Sequence, residues 1–351
     1  MILDELPCPI VLAPLAGGPS TPQLAAAVSE EGGLGFVAAG YLSAETVAER
    51  LATTAQLTAR PIGVNLFVPG RPTPPERFGA YAASLAGEAA RAGTTLGDPR
   101  FDDDGWQAKL DLLTATPVPV VSFTFGCPSA DEIAGLHLAG SEVWVTVTDT
   151  DEGIEAVAAG ADVLVAQGIE AGGHRSTFAD DAGNDAVDGL SLLSLLQLLP
   201  VAVDVPLVAA GGITTGAGVA AALGAGAAAA QVGTAFLRCP EAGTSPVHRR
   251  NLAGAAPTMM TRAFTGRLAR GIRNRFMDDH GRDAPVAYPE VHFLTAPLRQ
   301  AGRAADDGDV VNLWAGQTHT LAREHPAAEV VRILTDDARR AVDVAAQRLG
   351  A

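Results

Sequence analysis

Eight short apolar runs alternate with alanine-rich amphipathic stretches through the first 240 residues, and this rhythm limits the possible folds more than any other feature of the chain. The runs are Ile10–Leu15, Leu34–Ala39, Ile62–Phe67, Val118–Phe125, Glu142–Thr148, Ala161–Ala166, Pro206–Ala210 and Ala228–Val232. Each is almost continuously apolar, as a strand buried on both faces of a parallel sheet must be. Helix starts stand between them: Thr21-Pro22 before Gln23–Ser29, Ser43 before Ala44–Leu57, and Ser129 before Ala130–Leu138. A hydroxyl at such a position takes a backbone N–H that the first turn leaves unpaired. Gly32, Gly140, Gly160 and Gly224 are placed to end helices. The repeated unit predicts an α/β fold, a (β/α)8 barrel. An open, doubly wound sheet built from the same units is the alternative.

Two stretches interrupt the rhythm, Pro69–Asp104 and Thr177–Asp188, and both read as insertions over the C-terminal face of the barrel. After Pro240 the sequence becomes polar and helix-capable, with a basic run at Arg262, Arg267, Arg270, Arg273 and Arg275. Residues 1–240 are therefore read as the barrel and 241–351 as a mostly helical extension packed on it, because the extension alone would make a meagre core. A length of 351 residues suits one barrel of roughly 250 residues or more with insertions.

The chain carries 40 acidic and 24 basic residues, a formal charge of −16, which opposes binding to nucleic acid or to an anionic membrane surface. Its amino terminus lacks a basic segment followed by an apolar one, and no run nears the ~18 apolar residues of a membrane span. The expectation is a cytoplasmic protein. Cys8, Cys127 and Cys239 show no CxxC spacing, so neither a disulfide framework nor a zinc site is expected. They read as small hydrophobes, and Cys127, though after Gly126 at a strand end, has no adjacent base. No P-loop, no dinucleotide-binding glycine pattern after the first strand, no H-E-x-x-H and no G-x-S-x-G is present.

The most informative stretch runs from Val163 through Gln167-Gly168-Ile169-Glu170-Ala171-Gly172-Gly173-His174, an apolar strand leading into a glycine-rich turn that ends in histidine. Barrel enzymes carry their chemistry at strand C-termini. Glycines admit a flat ligand close to the backbone, and His174 titrates near neutrality unaided. Ala210-Gly211-Gly212-Ile213 and Gln231-Val232-Gly233-Thr234 end the seventh and eighth strands. Barrels often bind phosphate there, with backbone N–H groups turned to the anion. Asn65, within an apolar strand, needs hydrogen-bond partners from either a ligand ring or a neighbouring loop. The other histidines, His137, His248, His280, His292, His319 and His325, have no metal-ligand spacing and read as surface or packing residues, so no metal is expected.

Taken in order, Leu12–Thr21 (LAPLAGGPST), Gly63–Pro69 (GVNLFVP), Gln167–His174 (QGIEAGGH), Ala210–Ile213 (AGGI) and Gln231–Leu237 (QVGTAFL) resemble the nitronate monooxygenases, formerly 2-nitropropane dioxygenases. The resemblance continues through Phe264–Arg267, Ala269–Ile272 and Leu313–Gln317. It implies a TIM barrel holding non-covalent FMN and oxidation of alkyl nitronates by O2 to a carbonyl compound and nitrite. Asn65, Gln167, Gly172 and Gly212 would contact FMN, with Gln231, Val232, Gly233 and Thr234 around its phosphate. Pro14, Leu15, Ala16, Gly173 and Gly211 complete the expected cofactor set, Leu15 standing where the family often has Met. His174 would take a proton from a neutral nitroalkane or orient the nitronate. Two alternatives remain open: an NADH-dependent FMN reductase of quinones or enoyl thioesters, since such barrels resemble the chain around Glu170–His174, and a non-catalytic barrel that binds a phosphorylated ligand. Homo-oligomerisation is left open.

Overall fold

The computed structural model describes residues 1–180 and 189–350. Eight strands pair in parallel: β1 (Ile10–Leu12), β2 (Gly35–Ala38), β3 (Ile62–Phe67), β4 (Val120–Thr124), β5 (Glu142–Val147), β6 (Val163–Gln167), β7 (Leu207–Ala210) and β8 (Ala229–Val232). Their order is β1-β8-β7-β6-β5-β4-β3-β2, and a parallel bridge between Val11 and Leu34 joins the two ends. The sheet is therefore a (β/α)8 TIM barrel, and the open-sheet alternative fails. Every strand falls on its expected run.

Alternate strand residues point inward. At the N-terminal end the inward positions are apolar, among them Val11, Phe36, Val120, Trp144, Val163, Val208 and Ala229. Phe36 and Trp144 meet at 6.0 Å, and Gly63 makes room for Phe36, since a Cβ there would lie 2.4 Å from its ring. The helix Ile2–Glu5 covers this end, its Ile2 N–H donating to the Glu142 carboxylate at 2.7 Å. Towards the C-terminal end the same inward rows turn polar, with Asn65, Thr124, Thr146, Gln167 and Gln231. Outward residues such as Leu12, Val64, Phe123 and Leu164 pack under the helices.

The hydroxyls of Thr21 and Ser43 and the capping box of Ser129 and Glu132 start the helices Pro22–Glu30, Ala44–Leu57 and Ala130–Ala139. Gly140 and Gly160 end theirs in the left-handed conformation. Gly224, by contrast, is the last residue of its helix, and the left-handed turn falls at Gly226.

The extension does more than pack on the outside. Its last helix, Ala327–Leu349, lies against Gly216–Gly224 and Pro22–Glu30 and puts Ala327, Val330, Val331 and Leu334 into the same core as the strands. It is the eighth helix of the ring, reached only after a long excursion. A Cβ at Gly216 would fall 2.3 Å from Asp337 Cβ, so glycine sets the close approach of the two helices. The first insertion forms short helices whose Phe78, Tyr81 and Leu85 share a second core with Phe264, Phe276, Val291 and Leu294 of the extension. Of the second expected insertion, residues 181–188 lie outside the described residues. No helix among the described residues is long and apolar enough to cross a membrane.

Candidate active site

A cavity of about 580 Å³ opens at the C-terminal ends of the strands, within the range of roughly 300–1,000 Å³ usual for small-molecule sites. Twelve of the thirteen residues expected to touch a cofactor line it, as does His174: Pro14, Leu15, Ala16, Asn65, Gln167, Gly172, Gly173, Gly211, Gly212, Gln231, Gly233 and Thr234. Val232 does not. It is an outward strand residue, fully buried in the core, and only its neighbours in sequence reach the cavity.

Asn65 donates from Nδ2 to the Ser122 and Thr124 hydroxyls, both at 3.0 Å. Its Oδ1 is buried with no hydrogen-bond partner among the described residues, an unused acceptor on the cavity floor. Gln231 makes no side-chain hydrogen bond among the described residues. Gln167, also on the cavity wall, ties down the histidine loop: Nε2 donates to the His174 carbonyl at 3.1 Å and Oε1 accepts from the Ser176 N–H at 2.9 Å, leaving one N–H and one lone pair of the amide. Gly211 and Gly212 have φ of +118° and +67°, a conformation that costs most side chains a few kcal/mol or less but is free to glycine. The N–H groups of Gly212 and Gly233 donate to no protein group among the described residues. Beside them the Thr234 hydroxyl accepts from the Gly316 N–H at 3.0 Å, so the extension completes this corner.

His174 is brought to the cavity by a three-stranded sheet. The pair Gly173–His174 runs antiparallel to Ala269–Ile272, which pairs in turn with Thr258–Thr261. The imidazole sits among Trp314, Phe125 and Tyr288, with ring centroids 5.5, 5.6 and 5.7 Å away. Its Nε2 lies 2.9 Å from Thr265 Oγ1. Burial, with the Arg267 and Arg299 charges beside it, lowers its pKa to about 3, so the ring is neutral at working pH. Phe125 and Tyr41, both on the cavity wall, have φ of +78° and +66°, strain of the kind that gathers at functional sites. Tyr41 is held there by its N–H bond to Asp104 at 2.7 Å, and it stacks on His292 at 4.2 Å.

One charge in the wall is unbalanced. Arg299 is buried, donates to the His292 carbonyl at 2.6 Å and to the Thr295 hydroxyl at 3.2 Å, and has no carboxylate partner among the described residues. Burial brings its pKa down to about 10, still well above neutral pH. Arg303 stands exposed one turn on, also lining the cavity.

Tyr41, Tyr288 and Arg299 lie outside every motif read in the sequence, Phe125 ends the fourth apolar run, His292 is read there as a surface or packing residue, and Thr265 stands within Phe264–Arg267 with no role of its own. His248 is buried and His292 half-buried, as packing residues are, yet both line the cavity. His137, His280 and His325 pair with Asp162, Glu88 and Glu329, and His319 bonds the Ala256 carbonyl. Glu88, Asp279 and His280 approach one another as metal ligands do. Arg275 already bonds both Glu88 oxygens, at 2.8 and 2.9 Å, and its charge fills the place of a cation. Cys127 is half-buried with its thiol pushed up to about 11 by burial, which suits a small hydrophobe.

The sequence model described as nitronate monooxygenase matches residues 3–337. A nitronate monooxygenase of Pseudomonas aeruginosa is 40% identical, over 94% of this chain and 96% of its own. Another, from Paraburkholderia phytofirmans, is 38% identical over 95% and 93%. The solved structure of a nitroalkane oxidase from Streptomyces ansochromogenes superposes with a TM-score of 0.96 at 50% identity, covering 98% of this chain and 99% of that one. FabK from Thermotoga maritima, at 24% identity and a TM-score of 0.77 over 99% and 97%, shares the fold.

Proposed function

Because the chain belongs to the nitronate monooxygenase family, we propose that its cavity holds FMN and that it oxidises alkyl nitronates with O2 to a carbonyl compound and nitrite. The residues suit that cofactor. Asn65 Oδ1 and the Gln231 amide offer unspent hydrogen-bonding groups to the edge of a flat heteroaromatic ring. The free N–H groups of Gly212 and Gly233, with the Thr234 hydroxyl proton, would hold its phosphate. When bound, FMN supplies the electron acceptor for the substrate carbon and the means of using O2.

The protein's own part is to place the substrate and manage its proton. Arg299, an unbalanced buried cation, attracts the nitronate anion or the negative charge that develops on the nitro oxygens of a neutral nitroalkane. Neutral His174 accepts the proton that a nitroalkane must lose, and the rings of Phe125, Tyr288 and Trp314 keep water from it. The observation that carries the reading is the placing, in one aromatic-walled cavity, of His174 and of a guanidinium without a carboxylate partner among the described residues. The test of the cofactor is direct: the purified protein should be yellow and should release about one FMN per chain on heat denaturation. Colourless protein that takes up no added FMN would refute the reading.

A further inference from the structure

We infer that Thr265 fixes His174 as its Nε2–H tautomer, leaving Nδ1 as the nitrogen that takes the substrate proton. The inference rests on the reading of His174 as proton acceptor. It follows from the three groups around Thr265 Oγ1. The Arg267 carbonyl, 3.2 Å away, can only accept, so it takes the hydroxyl proton. The Arg267 N–H, at 3.4 Å, can only donate, and it uses one lone pair. His174 Nε2, at 2.9 Å, faces the lone pair that remains and must itself carry the hydrogen. Turning the hydroxyl toward an unprotonated Nε2 would leave the buried Arg267 carbonyl without a hydrogen bond among the described residues, an expensive orphan.

The turn that presents Thr265 is rigid. Thr265 and Gly266 both donate their N–H to the Arg262 carbonyl. Gly266 has φ +79°, and a Cβ there would fall 2.3 Å from the Ala287 carbonyl. Arg267 lies over the Phe125 ring, 4.1 Å from its centroid, and donates to the Arg175 and Thr177 carbonyls. On the other side of the imidazole, Nδ1 has no hydrogen-bond partner among the described residues and is not sealed from the cavity that His174 lines. In the step, the C–H bond next to the nitro group breaks, its electron pair enters the C=N bond of the nitronate, and the proton goes to Nδ1. Thr265 is a positioning residue, since it touches the histidine and not the reacting atoms.

Nitrogen-15 NMR of the wild-type holoenzyme tests the assignment without any change at Thr265. The His174 resonances, identified by their loss in His174→Asn, should show a protonated Nε2 and a bare Nδ1. A protonated Nδ1 would overturn the inference. Kinetics give the second readout. Thr265→Val, with FMN content as in wild type, should lose about 10- to 100-fold on a neutral nitroalkane, part of the roughly 10²–10⁴ a positioned base supplies. It should lose much less on preformed nitronate, and Thr265→Ser should recover most of the rate. Full nitroalkane turnover by Thr265→Val would also overturn it, whereas full turnover by His174→Asn would remove the base reading beneath it.

Discussion

In the proposed function His174 has two separable duties, to take the substrate proton and to orient the nitronate, and its neutrality decides how they would appear. With its pKa lowered to about 3, the ring does not titrate between pH 5 and 8. The rate with nitronate should then show no loss of a group near 6.5, the ordinary histidine value. His174→Asn keeps hydrogen-bonding reach and removes the proton acceptor. Turnover of a neutral nitroalkane should fall by about 10²–10⁴, while preformed nitronate, already deprotonated, should suffer less. Rates equal to wild type on both substrates would exclude His174 from the mechanism. At Gly233 the backbone is in an ordinary region, and a new Cβ would stand 3.3 Å from Ala13 Cβ, a contact that small shifts relieve. Gly233→Asp should therefore fold but lose FMN, because its carboxylate would face the proposed phosphate site. A variant purified with full FMN would place the phosphate elsewhere.

Between elements, the first insertion and the extension are joined by Glu88 and Arg275 as well as by their shared apolar core. Arg275 lowers the buried Glu88 carboxyl from its ordinary 4.5 to about 2, against the opposing effect of burial and with help from His280 and Arg91. A depressed carboxyl stabilises the fold above its unfolded pKa, and that contribution fades as pH falls through 4.5 towards 2. The urea midpoint of wild type should exceed that of Glu88→Gln by a constant amount above about pH 5, and the gap should close between about pH 4 and 2. A gap that persists at pH 2 would contradict the assignment. At this scale the sequence was readable where period and chemistry coincide. Apolar runs located all eight strands, and Asn65 stood out as a polar residue within one of them. The eighth helix was not readable as such, because Pro240 to Pro326 intervene and its closest approach to a neighbouring helix is at Gly216, a glycine with no apolar signal. Tyr41, Tyr288 and Arg299 were hidden for a related reason, and so was the role of Thr265 within its motif: each acts through contacts between segments far apart in the chain.

Across the whole molecule, the arrangement opposes its own net charge. A chain of formal charge −16 presents Arg299 and Arg303 inside the cavity at the C-terminal ends of its strands, with Arg267 behind Phe125. Such focusing attracts a small anion to a surface that otherwise repels one. The barrel supplies the floor and the free N–H groups, the extension supplies Thr265, Arg299, Trp314 and Gly316, and the two are one structure because the last helix completes the ring. Neutral His174 and cationic Arg299 suit a nitro compound and its anion as electron donor, with no demand for a nicotinamide. Anaerobic rapid mixing measures that choice. The oxidised flavin absorbance should bleach quickly with an alkyl nitronate and remain unchanged with NADH or NADPH, and fast bleaching by either nicotinamide with none by nitronate would contradict the account.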